Sequence, residues 1–344
     1  MNNFKSGISL LIAALLILSL GNSGCKNEKK STITKTEPTK KVVIPPFNRD
    51  TAYAIIKEQV DLGPRVLGSK AHEQAKELII RRLKAYGWEV IEQNFEANVY
   101  TGDKFPATNI IAKFNPKESK RILLSTHWDS RHLADSPISK HDRDKPILGA
   151  DDGGSGVGVL LEIARQIAAT PVEGLGVDLV FFDAEDYGDS REHTTKEEEV
   201  ASSKTWGLGA QYYGKHVPGT KAKFGILLDM VGARNAQFPK EGYSLQNSAY
   251  VTNRIWEIAA NMGYGNYFQN RQGGGITDDH IFVMQYAQIP MTDIISLPVN
   301  NEGLTFGAHW HTHNDNMDII DTRTLRAVGQ VMLAVIYKTA AGKF

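Results

Sequence analysis

Apolar positions recur at helical spacing over residues 50–59 and again over 71–86, where Leu78, Ile79, Leu83 and Tyr86 share one face. Residues 88–95 alternate apolar and polar, the period of a half-buried strand, and 109–114 reads as a second strand. The pattern then changes. Residues 121–126, 177–182, 224–229 and 291–296 are short, nearly unbroken apolar runs, as expected of strands buried on both faces. Helical periodicity returns over 157–168, 206–215, 249–262 and 322–338. Strands alternating with helices predict an α/β fold: a single domain over residues 47–344, with a mixed, mostly parallel central sheet and helices on both faces. No internal repeat and no second-domain boundary interrupts that span.

The first 46 residues follow different rules. Lys5 precedes an apolar run over 8–20 that is too short for a comfortable membrane span, followed by Asn22-Ser23-Gly24-Cys25. A basic start, a short apolar core and small residues before a cleavage point describe a signal peptide. The only cysteine in the chain stands where a bacterial lipobox places its lipid-modified residue, although Asn22 occupies a position more often aliphatic. Residues 1–25 are therefore expected to be a lipoprotein signal peptide with Cys25 as the acylated residue. Residues 26–46, rich in Lys, Thr and Ser and ending in Pro45-Pro46, are expected to be a flexible tether. The predicted location is the periplasmic or surface side of a bacterial membrane, held there by the lipid anchor.

Charge sharpens this division. The chain has 39 basic and 39 acidic residues, but the tether alone carries six lysines against two glutamates. Residues 47–344 thus hold 32 basic and 37 acidic residues, a mildly acidic body that argues against a nucleic-acid partner. With 41% hydrophobic and 23% charged residues, the composition is that of a globular chain and not of a disordered one. A single cysteine excludes an internal disulfide framework and a Cys-rich metal site.

Ligands of open α/β sheets bind outside the carboxyl ends of the strands, so polar residues there are the first candidates. The run 121–126 ends in His127-Trp-Asp129, the run 177–182 in Asp183-Ala-Glu185-Asp186, and the run 224–228 in Asp229. Gly149-Ala-Asp151-Asp152-Gly-Gly-Ser-Gly156 leads into a helix, and Trp310-His311-Thr-His313 stands near the C-terminus. Taken singly, each has an ordinary structural explanation; Asp152, for instance, could be a helix cap. Two adjacent carboxylates directly after an apolar strand are costly to bury without a cation or donors. Histidine and carboxylate ligands gathered at strand ends form the nitrogen and oxygen donor set that divalent zinc accepts.

As an ordered set, these motifs resemble the zinc-dependent exopeptidase fold shared by co-catalytic aminopeptidases and animal-type glutaminyl cyclases. The resemblance covers most of 48–344 and begins with Gly63-Pro-Arg-Val-Leu-Gly-Ser69. It implies Asp152, Asp186 and His311 as zinc ligands and Glu185 as general acid/base. The family usually has Glu where this chain has Asp186, and the shorter arm requires a small shift of backbone or metal. His127 and Asp229 would complete a second metal site in the aminopeptidases, so one zinc is expected and a second remains open.

Three features resemble the cyclases in particular: Trp310 directly before His311, the segment Thr277-Asp278-Asp279-His280, and Leu228-Asp229-Met-Val-Gly232. They imply a pocket wall from Trp310 for the substrate glutamine, and a carboxylate network joining Asp278, Asp229 and Glu185. The expected activity is conversion of the N-terminal Gln of peptides or proteins to pyroglutamate with release of ammonia; the alternative is a zinc metallo-aminopeptidase. His313 is expected to be no ligand, and Trp206 to be scaffold packing. Residues 189–205, with eight charged side chains, read as a solvated surface loop that follows a candidate catalytic acid and so lies near the pocket rim.

Overall fold

The computed structural model describes residues 42–299 and 305–344; Cys25 and the residues before 42 expected to form a signal peptide and tether lie outside the described residues. In chain order the elements are α1 (Arg49–Val60), α2 (Lys70–Ala85), β1 (Glu89–Asn98), β2 (Lys104–Phe114), β3 (Arg121–His127), α3 (Gly154–Ala169), β4 (Gly176–Phe182), α4 (Lys196–Ser203), α5 (Leu208–Lys215), β5 (Gly225–Asp229), β6 (Phe238–Lys240), α6 (Gly242–Asn247), α7 (Ala249–Asn261), β7 (Phe268–Gln272), α8 (Asp279–Phe282), β8 (Met291–Ile295) and α9 (Thr322–Ala340).

Six strands form the central sheet in the order β1-β2-β4-β3-β5-β8. The β1/β2 and β2/β4 pairs are antiparallel, whereas β4/β3, β3/β5 and β5/β8 are parallel. The apolar runs become the parallel core because neither face can meet water. Along them, side chains alternate between two packed layers: Leu124, Leu179, Phe181, Ile226 and Leu228 join one core, while Leu123, Val180, Phe182 and Leu227 join the other. Helices α1, α3 and α9 supply the first layer, and α5 with α8 supplies the second. Helix α3 packs so closely that a Cβ at Gly156 would lie 2.1 Å from Thr126 Oγ1 and 2.7 Å from the Leu228 carbonyl.

The structure adds to the expected elements at several points. Helix α4 forms inside the segment expected to be a loop, and the small parallel pair β6–β7 carries no strand pattern that sequence periodicity reveals. Residues 42–46, expected in the tether, belong to the folded body. Val42 and Ile44 pack against the core, and Gln330 clamps the strap by donating to the Pro45 carbonyl and accepting from the Phe47 amide. No helix among the described residues is long and apolar enough to cross a membrane.

Candidate active site

The parallel strands deliver their last residues to one end of the sheet. His127 closes β3, Asp229 closes β5, and Glu185-Asp186 follow β4 by a short turn. The backbone turns there are strained: Ala184, Met230 and His311 adopt left-handed φ angles of 55°, 48° and 53°. Each such non-glycine residue costs about 1–3 kcal/mol, which the surrounding contacts must offset. The contacts are on hand at the first turn. Asp129 Oδ1 accepts the Glu185 amide and Oδ2 the Asp186 amide, both at 3.1 Å, so one carboxylate fixes the turn that presents two others.

Asp152 is placed by a separate cradle. It is not the cap of α3, whose N-cap is Gly153 with no side-chain hydrogen bond. Asp315 instead accepts the amides of Asp151 at 2.7 Å and Asp152 at 3.1 Å. Behind this loop the fully buried Arg65 guanidinium donates to the carbonyls of Trp128, Leu148 and Gly149 at 3.0, 2.6 and 2.7 Å. That is the physical work of the 63–69 motif. Gly153 is required by space: a Cβ there would meet the Asp129 carbonyl at 2.7 Å and His127 Cε1 at 2.9 Å.

Asp152, Asp186 and His311 bring one ligand atom each within 4.8 Å of one another, and all three are buried. His311 Nε2 lies 3.1 Å from Asp186 Oδ1, and its Nδ1 lies 3.0 Å from Asp135 Oδ1. A carboxylate behind Nδ1 that leaves Nε2 facing the ligand cluster is the usual support of a metal-bound imidazole. Asp186, 1% exposed, makes no hydrogen bond of good geometry through either carboxylate oxygen and faces the His311 ring at 3.1 Å. Burial, followed by repulsion from Asp152, pushes its pKa up. A divalent cation resolves both problems, so the donor set fits a zinc ion. His127, Asp152 and Asp229 form a second such cluster that shares Asp152, with His127 Nε2 3.0 Å from Asp152 and 3.2 Å from Asp229.

A cavity of about 480 Å³ opens over these groups. Glu185, Asp229 and Asp278 line it together, with apolar walls from Trp310, Phe306 and Ile276. Trp310 stacks on His311 with ring centroids 3.8 Å apart. Burial, opposed in part by His127, raises the Glu185 pKa well above the usual carboxylate range. Asp278 is pushed up to about 7, first by burial and then by Asp229, and Asp229 itself to about 6 by burial. Three neighbouring carboxyls that resist losing all their protons make a site suited to moving one. Asp278 also accepts the Asp279 amide as the N-cap of α8, so its structural and chemical roles coexist.

Asp152, Glu185, Asp186, Asp229, Asp278, Trp310 and His311 all line this cavity, and His127 lies buried behind it against Asp152 and Asp229. His313, expected to be no ligand, is exposed and pairs with the Asp142 carbonyl at 3.0 Å. The structure corrects Trp206, expected to be scaffold packing. It lines the cavity, stacks toward His311 at 6.2 Å, and covers the Arg131 guanidinium at 4.8 Å. Arg131, which donates to the Asp186 and Gly188 carbonyls at 3.0 and 2.9 Å, was missed as a support, as were Asp135, Asp129 and Asp315. Asp129 stood in a strand-end motif that could have flagged it, whereas Asp315 is distant in sequence from everything it holds.

The fold and site place this chain in a recognised class: it belongs to peptidase family M28, whose model matches residues 109–336. Among solved structures, the glutaminyl cyclase of Bacteroides thetaiotaomicron bound to N-acetylhistamine is 43% identical, with a TM-score of 0.81, covering 86% of this chain and 99% of that one. A leucine aminopeptidase precursor from the same organism is also 43% identical, with a TM-score of 0.80 and the same coverage. The glutaminyl-peptide cyclotransferase of Drosophila melanogaster is 26% identical over 300 residues, 78% of this chain and 76% of that one.

Proposed function

We propose that the protein is a glutaminyl-peptide cyclotransferase that closes the N-terminal Gln of peptides or proteins to pyroglutamate and releases ammonia. The observation that carries this reading is the joint lining of one cavity by Glu185, Asp229, Asp278 and Trp310, with Trp310 stacked on His311. In the reaction the substrate's own α-amine attacks its side-chain amide carbon; a C–N bond forms, the bond to the amide nitrogen breaks, and ammonia leaves. Zinc held by Asp152, Asp186 and His311 would polarise the amide carbonyl. Glu185 takes the proton from the attacking amine and delivers it to the departing nitrogen. Asp278 and Asp229 line the cavity beside it, and the repulsion between them favours a state in which one keeps its proton. The indole of Trp310 holds the side chain curled toward the amine, so that proximity lowers the barrier.

The His127, Asp152, Asp229 cluster favours a second reading, a two-zinc aminopeptidase in which water is the nucleophile. Purified protein incubated with one peptide beginning in Gln and another beginning in Leu separates the two. Mass spectrometry showing ammonia loss from the Gln peptide, with no residue released, supports the cyclase; free Leu or free Gln overturns it. We further propose export and lipid anchoring through Cys25. Fatty-acid labelling of the protein in its membrane fraction, lost in Cys25→Ser, is the expected result; equal labelling in both would remove the anchor.

A further inference from the structure

Helix α4 lies at the rim of the catalytic cavity and divides what lies beyond it. On one side a groove of about 540 Å³ shares His193 and Ser202 with the cavity; on the other, a second groove of about 540 Å³ shares Ser203 and Thr277. A peptide whose first residue occupies the cavity and whose chain leaves by either groove passes the same stretch of α4. Glu199, Ser202 and Ser203 stand there at i, i+3 and i+4, one stripe of the helix, and all three line the cavity. Glu199 is exposed, and no cation lies within ion-pair distance of it among the described residues. Its neighbours are already engaged: Glu198 accepts from the backbone of Thr194 and Thr195, and Arg191 is tied to Asp189 at 2.6 Å. Lys196, one turn earlier on the same stripe, does not line the cavity.

Building on the cyclase reading, we propose that Glu199 is a specificity-determining residue that selects a basic side chain at the position following the N-terminal Gln. The first residue's amide and amine are consumed inside the cavity, so the next side chain is the first group free to meet the rim. A Lys or Arg there reaches the unpaired carboxylate, while an acidic residue is repelled by it and by the carboxylates deeper in the cavity. The contact is exposed to solvent, so its effect is modest and sensitive to salt.

The test compares ammonia release from Gln-Lys, Gln-Ala and Gln-Glu peptides of otherwise identical sequence. The expected order of kcat/KM is Lys, then Ala, then Glu. Glu199→Gln is expected to shrink the Lys-to-Glu ratio by about threefold or more, and Glu199→Lys to invert it. Glu197→Gln, on the same helix but lining neither cavity nor groove, is expected to preserve the wild-type ratio, which separates a local charge effect from a change in helix net charge. Turnover of all three peptides with the same ratio in wild type and Glu199→Gln overturns the specificity claim and leaves the cyclase reading standing. Absence of ammonia from every peptide overturns both.

Discussion

The strand-end site and the α4 rim lie against the same cavity, yet they are built on opposite principles. At the strand ends the side chains are buried and over-determined: Asp129 fixes two amides, Asp315 two more, and Arg65 three carbonyls. Helix α4 has no buried residue at all and rests on a local device, a capping box between Thr195 and Glu198. Chemistry that needs a proton placed to within a few tenths of an ångström sits where the core enforces geometry. Recognition of a variable peptide chain sits on an element held by its cap and by one side-chain bond from Ser202 to the Asp189 carbonyl. Substitutions in the first region are therefore expected to be severe, and those in the second graded.

The largest effect is expected from Glu185→Gln, which keeps the shape but cannot accept a proton. Ammonia release should fall by about 10²–10⁴-fold while the bound metal, measured by elemental analysis, is retained. Retained turnover would move the proton transfer elsewhere and dissolve the contrast between the two regions. Next comes Asp129→Ala. It removes the acceptor of two buried amides and frees the strained turn at Ala184, each unsatisfied group costing about 1–3 kcal/mol. Both a fall in Tm and a loss of kcat about tenfold or greater are expected. A loss of Tm with kcat unchanged would mean that the turn, not its registration against the ligands, is what Asp129 supports.

A third prediction extends the buried side of the comparison toward Asp278. Glu241 caps α6 by accepting the amides of Tyr243 and Ser244 and also holds the Ile276 amide. Burial works against its charge, but His280 and these donors outweigh burial and lower its pKa from 4.5 to about 2. A carboxyl whose folded pKa is depressed contributes stability that is complete above the unfolded value and is lost as pH falls from about 4.5 toward about 2. Thermal melts across that window should show a smaller acid-dependent loss in Glu241→Gln than in wild type, on a lower plateau at neutral pH. Parallel curves would remove Glu241 from the linkage.

The same division explains what sequence could reveal. The parallel core was legible because strands buried on both faces must be apolar at every position, and their abrupt polar ends marked His127, Glu185, Asp186 and Asp229 at once. The resemblance to the exopeptidase fold then picked out Asp152, Asp278 and His311. What remained hidden are supports whose partners are far away in the chain. Asp315 lies 164 residues from Asp151, and nothing around it signals the amides it accepts. Trp206 was misread because an indole opening a helix looks the same whether it faces the core or a cavity. Helix α4 was overlooked because its eight residues have no apolar stripe, although Thr195 and Glu198 are a legible capping signature.

The smallest expected effect bears most directly on the contrast. Thr195→Ala deletes the side-chain half of the α4 capping box, worth about 0.5–2 kcal/mol to the helix. Because α4 buries no residue, this loss should stay local: Tm is expected to remain within about 1 °C of wild type, while amide hydrogen exchange accelerates over residues 196–203 alone. The strand-end amides held by Asp129 and Asp315 should exchange at unchanged rates. A drop in Tm comparable to that of Asp129→Ala would show α4 to be coupled to the core, and the rim would then have to be counted with the scaffold that fixes the chemistry.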